Sequence, residues 1–174
     1  MQFIMKIDKW VEKFSEKLSF LGAIWIFLIM AVIVYDVVGR YFFNSPFTGT
    51  VEIVRNSIVG IAFFMIPWAM VKEKHVRTTI VVERVKPKIG VALDVLAYLV
   101  GFAVFLLIIV SSWEPFISSY VNMEYEGEGA MRIVTYPIRG VIILGSVLTL
   151  WHCLIILLNR LFPQKAVLPA VEER

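Results

Sequence analysis

Four long uncharged runs divide the chain, and charged segments separate them. Each run is 16 to 20 residues long, and together they cover residues 18–35, 56–71, 95–113 and 140–159. A helix needs roughly 20 apolar residues to cross a bilayer, and backbone polar groups inside lipid must be hydrogen-bonded within their own element. The pattern therefore predicts an all-α membrane protein with four transmembrane helices, at about residues 18–38, 52–71, 90–113 and 138–160.

The segment before the first run has the pattern of an amphipathic helix. Its apolar side chains recur at helical spacing, and they are Phe3, Ile7, Trp10, Val11, Phe14 and Leu18. Lysines at positions 6, 9, 13 and 17 fall on the other faces. This predicts an interfacial helix lying in the membrane surface, with Trp10 and Phe14 facing lipid and Lys13 and Lys17 beside anionic headgroups. The alternative is a simple extension of the first span into water, which would expose both rings.

Composition agrees with a membrane protein and excludes several other classes. Of 174 residues, 59% are hydrophobic and 18% are charged, whereas soluble domains carry about a quarter charged residues. That balance excludes a water-soluble enzyme and a disordered chain. Cys153 is the single cysteine, which excludes an internal disulfide and a paired-cysteine metal motif. We expect no cofactor, no metal site and no nucleic-acid partner.

The distribution of basic residues predicts the orientation in the membrane. Thirteen of the 17 Lys and Arg residues lie in the N-terminal segment, the loop between spans two and three, and the C-terminal tail. The remaining four are Arg40, Arg55, Arg132 and Arg139. The positive-inside rule then places both termini and the middle loop in the cytoplasm. Residues 1–162 are predicted to form one four-helix membrane domain, and residues 163–174 a C-terminal tail.

Two charge pairs flank the short connection between the first two spans. Asp36 and Arg40 are four residues apart, with the acid first, which is the favourable order for an ion pair on a helix. Glu52 and Arg55 follow three residues apart at the start of the second span, where an acid suits the positive end of a helix. These four charges either hold the ends of a tight hairpin or form a docking site for another protein on the outer face.

The spans contain few polar groups that could support chemistry or transport. His152 lies next to Cys153 in the fourth span, and a helix-packing role fits it better than ligation because His75 lies in a cytoplasmic loop. Pro67 predicts one kink by freeing the carbonyl group of Phe63. Ala97 with Gly101, and Ser146, Thr149 and Cys153, provide small faces for close helix contact. The residues therefore predict an accessory subunit that packs against a larger protein.

Several motifs resemble the small, DctQ-type membrane subunit of TRAP (tripartite ATP-independent periplasmic) transporters. They are the stretch 36–46, the stretch 49–55, Glu73-Lys74-His75-Val76 and the stretch 131–138. The resemblance extends over roughly residues 5–162. Two departures are visible: Thr78 and Thr79 follow His75 where many relatives have an acid, and Val134 stands where a proline is frequent.

The resemblance implies the small scaffold subunit of a sodium-coupled importer of organic acids, such as carboxylates. Its partners would be a large membrane transport subunit on a separate chain, a periplasmic substrate-binding protein and membrane lipids. It also implies a bacterial or archaeal cytoplasmic membrane, no enzymatic activity, and sodium sites in the large subunit. Asp36, Arg40, Glu52, Arg55 and His75 are the residues that would dock a partner or hold the subunit's structure.

Two other functions remain open at this point. The first is a membrane anchor or b-type cytochrome subunit of a quinone-linked oxidoreductase, which would use His152 with a histidine from another chain. The second is a small exporter that works as a homo-oligomer. The sequence does not identify the substrate, and it leaves the roles of His152 and Cys153 undefined.

Overall fold

A computed structural model describes residues 2–72, 87–126 and 133–161. These residues form four α-helices, each long and apolar enough to cross a membrane: α1 Gln2–Phe43, α2 Thr50–Lys72, α3 Pro87–Val121 and α4 Tyr136–Leu161. The predicted all-α fold with four membrane-spanning helices is confirmed. The chain between α3 and α4 adds two short strands, β1 Tyr125–Glu126 and β2 Ile133–Val134, which pair antiparallel.

Helix α1 is continuous over 42 residues, so the amphipathic segment and the first span form one helix. Its buried positions recur every seven residues, at Asp8, Ser15, Gly22, Ile29 and Asp36, with Val11 and Leu18 between them. A seven-residue repeat is typical of a helix that presents one narrow seam to its neighbours. This continuity agrees with the alternative of a simple extension of the first span, whereas the position of the N-terminal half at a membrane surface stays a prediction.

The main helix contacts follow the spatial order α1, α2, α4, α3. Gly22 of α1 packs beside Phe64 and Met65 of α2, and Trp25 covers Gly60. Gly101 of α3 faces Cys153 of α4, and a Cβ atom added at position 101 would lie 3.7 Å from the Cys153 sulfur, so the two predicted small faces lie opposite each other. The most apolar stretch of α3 has no buried residue, so this helix is largely uncovered.

Helices α2 and α4 approach most closely where Gly145 meets Phe63. A Cβ atom at position 145 would overlap the carbonyl oxygen of Phe63 and lie 2.9 Å from the Cβ atom of Phe63. Pro67, four residues after Phe63, is buried inside α2 and has no N–H group to bond that carbonyl. The absence of a side chain at Gly145 therefore lets α4 cover a carbonyl group that α2 itself leaves unbonded.

Candidate functional site

The α1–α2 hairpin is built around the carboxylate of Asp36. Its Oδ2 atom lies 2.7 Å from Arg40 Nη2, and its Oδ1 atom accepts a hydrogen bond of 2.9 Å from the backbone N–H of Phe47. The Asp36 side chain is only 8% exposed, whereas that of Arg40 is 55% exposed. The predicted ion pair is therefore present, and the same carboxylate also binds the chain after the turn.

The turn itself requires two unusual backbone conformations. Asn44 ends α1 in the left-handed region with φ of 49°, and Gly49 has φ of 114° just before α2. The N–H of Ser45 donates to the carbonyl of Gly39 over 3.1 Å, and a Cβ atom at position 39 would stand 2.9 Å from the carbonyl oxygen of Ser45. Asp36, Gly39, Asn44 and Gly49 are therefore the residue types that the conformation of this turn requires.

The remaining predicted docking residues occupy different positions. Glu52 is half-buried and Arg55 is exposed in the first turns of α2. The Glu52 carbonyl accepts a 3.1 Å hydrogen bond from the Asn56 side chain. His75 lies in 73–86, outside the described residues. A docking role for these three residues stays a prediction.

The α3–α4 hairpin has its own polar centre at Glu124. The hydroxyl of Ser118 donates to one carboxylate oxygen over 2.8 Å, and the hydroxyl of Ser119 lies 2.9 Å from the other oxygen and 2.7 Å from the carbonyl oxygen of Pro115. Arg139 Nη1 lies 3.4 Å from Glu124 Oε2, and the hydroxyl of Thr135 donates to the Glu124 carbonyl over 2.8 Å. One residue therefore joins the end of α3 to the start of α4.

The sequence did not single out Glu124 as a candidate residue. A usable signal was nevertheless present, because Ser118 and Ser119 come just before a helix end and Glu124 follows them. Met123, with φ of 50°, reverses the chain, and the N–H of Glu124 bonds back to the carbonyl of Ser119 over 3.2 Å. That helix-ending geometry brings the carboxylate back onto the last turn of α3.

The Glu124 network should make stability depend on pH. Hydrogen bonds from Ser118 and Ser119, and then the charge of Arg139, hold the pKa of Glu124 below its ordinary value. A lowered folded-state pKa means that the stabilisation is complete above the unfolded value and is lost as the pH falls through the folded value. We expect Glu124→Gln to lower the melting temperature at pH 7. This difference should begin to shrink as the pH falls past the ordinary pKa of a glutamate carboxyl, and should disappear once the pH is below the lowered folded-state pKa.

The matched control for that measurement is Glu114→Gln, which changes an exposed carboxylate one helix turn before Ser118. Both variants and the unchanged chain are melted in the same detergent between pH 7 and pH 3. An equal, pH-independent loss in the two variants would contradict a specific role for Glu124.

Buried polar residues continue along the contact between α1 and α4. The Oγ atom of Ser15 lies 3.3 Å from Nε2 of His152, and both side chains are almost fully buried. Asp8 of α1 and Ser146 and Thr149 of α4 are buried elsewhere on their helices, and the Thr149 hydroxyl donates to the carbonyl of Gly145 in its own helix. His152 thus links two helices that are distant in sequence, which supports its predicted packing role. Among the described residues, no three His, Cys, Asp or Glu side chains come close enough to hold a metal ion.

The predicted lipid-facing residues lie on the outside of α1. Trp10 is 67% exposed and stacks on Phe14, with ring centroids 5.6 Å apart and nearly parallel planes. Lys13 and Lys17 are both exposed beside these rings. Their arrangement is compatible with a membrane surface, and contact with lipid stays a prediction.

Comparison with known proteins gives one family. The profile described as "Tripartite ATP-independent periplasmic transporters, DctQ component" matches residues 29–162, about three quarters of the chain. Comparison with curated proteins and with solved structures gave no match. The matched segment contains the Asp36 hairpin, the Gly145 crossing and the Glu124 network. The chain therefore belongs to the DctQ component family of the tripartite ATP-independent periplasmic transporters, and it is a small membrane subunit of such a transporter.

Proposed function

We propose that this subunit is a fixed scaffold for a larger membrane transport subunit carried on a separate chain. The complete transporter imports an organic acid, such as a carboxylate, using a sodium gradient. A periplasmic binding protein delivers the substrate, and the complex lies in the cytoplasmic membrane of a bacterium or archaeon. Family membership supports a transporter component rather than an enzyme such as a quinone-linked oxidoreductase.

The observation that carries the scaffold role is the use of polar side chains in the described helices. Asp36 and Glu124 stabilise the two hairpins, and Ser15 and His152 join α1 to α4. These groups make contacts within the subunit, as a rigid element requires. A path for a carboxylate would instead need polar groups facing a water-filled cavity.

The uncovered helix surfaces support the pairing with a large subunit. Helix α3 packs mainly on α4, and its most apolar stretch has no buried residue. Helix α1 likewise exposes large apolar side chains along its length, including Phe20, Phe27 and Tyr41. Surfaces of this kind suit either lipid or a second membrane protein, and a tripartite family supplies the second membrane protein.

Uptake into proteoliposomes tests this proposal directly. We expect accumulation of a labelled carboxylate only when this subunit, the large subunit, the binding protein and an inward sodium gradient are all present. Transport by this chain alone would contradict the scaffold role and would favour a self-sufficient exporter. Purification of this chain from its native membrane without any large polytopic partner would also contradict the scaffold role.

The same assay tests the docking role of the charged residues at the α1–α2 hairpin. The double variant Arg40→Ala/Glu52→Ala removes two of these charges while retaining Asp36, whose carboxylate binds the chain after the turn. We expect complex assembly or uptake to fall several-fold, because an exposed charge at a docking surface affects association more than folding. Unchanged assembly and uptake would overturn the docking role and leave the scaffold proposal intact.

A further inference from the structure

An apolar groove lies along α4, between the N-terminal half of α1 and the second half of α3. It has a volume of about 390 Å³, and its wall consists almost entirely of carbon atoms. Trp10 and Phe14 border it on α1, Trp113 and Phe116 on α3, and Leu144 and Val147 on α4. The groove is open on one side, so in a bilayer it would face the hydrocarbon of the membrane.

The surface of α1 beside this groove is positively charged. At 100° per residue, Lys6, Lys13 and Lys17 fall immediately next to the stripe formed by Trp10 and Phe14. All three lysines are exposed. The acidic residues of the same segment, Glu12 and Glu16, fall on the far side of the lysine positions. A continuous surface therefore runs from the apolar groove, over two aromatic rings, to a lysine ridge formed by Lys6, Lys13 and Lys17.

We propose that this groove binds one acyl chain of an anionic phospholipid, whose phosphate group lies on the lysine ridge. The acyl chain fills a surface that presents only apolar atoms, and the lysines neutralise the headgroup charge. The apolar stems of the lysines pack beside the rings while their ammonium groups reach the phosphate.

Charge complementarity distinguishes this occupant from a helix of a partner protein. A partner helix would satisfy the apolar wall but would also need acidic residues opposite Lys13 and Lys17, which lie one helix turn apart on α1. An anionic phospholipid carries both parts in the required order, with one negative group at the end of an apolar chain. The bound lipid would join α1 to α3 and α4 on the face that carries Trp10 and Phe14. This role is additional to the scaffold function proposed above.

Native mass spectrometry of the purified chain, with its large subunit where they copurify, tests the proposal. The detergent-solubilised protein is titrated with phosphatidylglycerol and, separately, with phosphatidylethanolamine carrying the same acyl chains. We expect phosphatidylglycerol to be retained at a concentration at least about tenfold lower than phosphatidylethanolamine. Lys13 and Lys17, which lie one helix turn apart beside the rings, should each contribute about fivefold to this preference.

Two pairs of matched variants separate the headgroup from the acyl chain. Lys13→Gln should weaken retention of phosphatidylglycerol about fivefold, whereas Lys72→Gln, at the end of α2, should not. Val147→Phe fills the groove and should reduce retention of both lipids, whereas Val110→Phe changes an exposed α3 residue outside the groove and should not.

Two results would overturn the proposal. The first is equal retention of the two lipids by the unchanged protein. The second is unchanged retention in Val147→Phe, and simultaneous loss of the large subunit from that variant would assign the groove to a protein contact. The first result can occur while the unchanged transporter takes up its substrate normally, so failure of the lipid site is distinguishable from failure of the scaffold role.

Discussion

Replacing Gly145 by alanine is expected to destabilise the subunit by roughly 2 to 3 kcal/mol, although alanine is the better helix former. A Cβ atom at this position would overlap the carbonyl oxygen of Phe63 and stand 3.0 Å from its carbonyl carbon. Both are backbone atoms, so no side-chain rotation relieves the overlap. The helices α2 and α4 must separate, and this outweighs the gain of about 1 kcal/mol in helix propensity.

Gly101→Ala is the matched control for this prediction. A Cβ atom at position 101 would lie 3.7 Å from the Cys153 sulfur, which is ordinary contact. Thermal unfolding in detergent, followed by size-exclusion chromatography of the soluble fraction, should show a large loss for Gly145→Ala and little change for Gly101→Ala. Equal behaviour of the two variants would show that the α2–α4 crossing is less close than the structure has it.

Asp36→Ala is expected to lower the melting temperature by several degrees and to reduce assembly with the large subunit. Alanine removes the acceptor for the backbone N–H of Phe47 as well as the partner of Arg40. A buried or half-buried N–H that loses its acceptor costs more than a surface ion pair contributes. The hairpin would lose the hydrogen bond between α1 and Phe47, which follows the turn.

Two further variants divide the contributions of the carboxylate. Asp36→Asn keeps an oxygen that can accept the hydrogen bond from the Phe47 N–H but removes the negative charge. Its decrease in melting temperature should therefore lie between those of Asp36→Ala and Arg40→Ala. Arg40→Ala should be the mildest for folding, because the Arg40 side chain is more than half exposed and water can replace it. If Arg40→Ala were as damaging to folding as Asp36→Ala, the ion pair would be the main contribution and our assignment to the Phe47 bond would be wrong.

The helices were predictable because their signal is local. Long apolar runs must become helices in lipid, and the four predicted spans lie inside α1, α2, α3 and α4. The helix ends were less predictable. Helix α3 extends to Val121, beyond the predicted end at residue 113, because Glu114 and Pro115 do not interrupt it. Charge and apolar length mark the membrane boundary and not the end of a helix.

In the candidate sites too, contacts within one helix were predictable from the sequence, and contacts between different elements were not. The Asp36–Arg40 pair follows from spacing on one helix, and the sequence predicted it correctly. The bond from Phe47 to Asp36, the Glu124 network and the contact between Ser15 and His152 involve residues on different elements. Ser15 and His152 are 137 positions apart, and no local pattern indicates that they meet.

The sequence by itself determined that this protein is a four-helix membrane subunit, since hydrophobic length and the TRAP-type motifs are properties of contiguous residues. Only the tertiary structure decided that α1 is one long helix with a seven-residue buried seam, and that α4 lies between α2 and α3. It also decided that Gly145 has no room for a side chain and that Glu124 is the acid that holds the second hairpin. The physical reason is that these properties depend on which helix faces which, and in lipid that choice rests on close packing and a few polar contacts between distant residues.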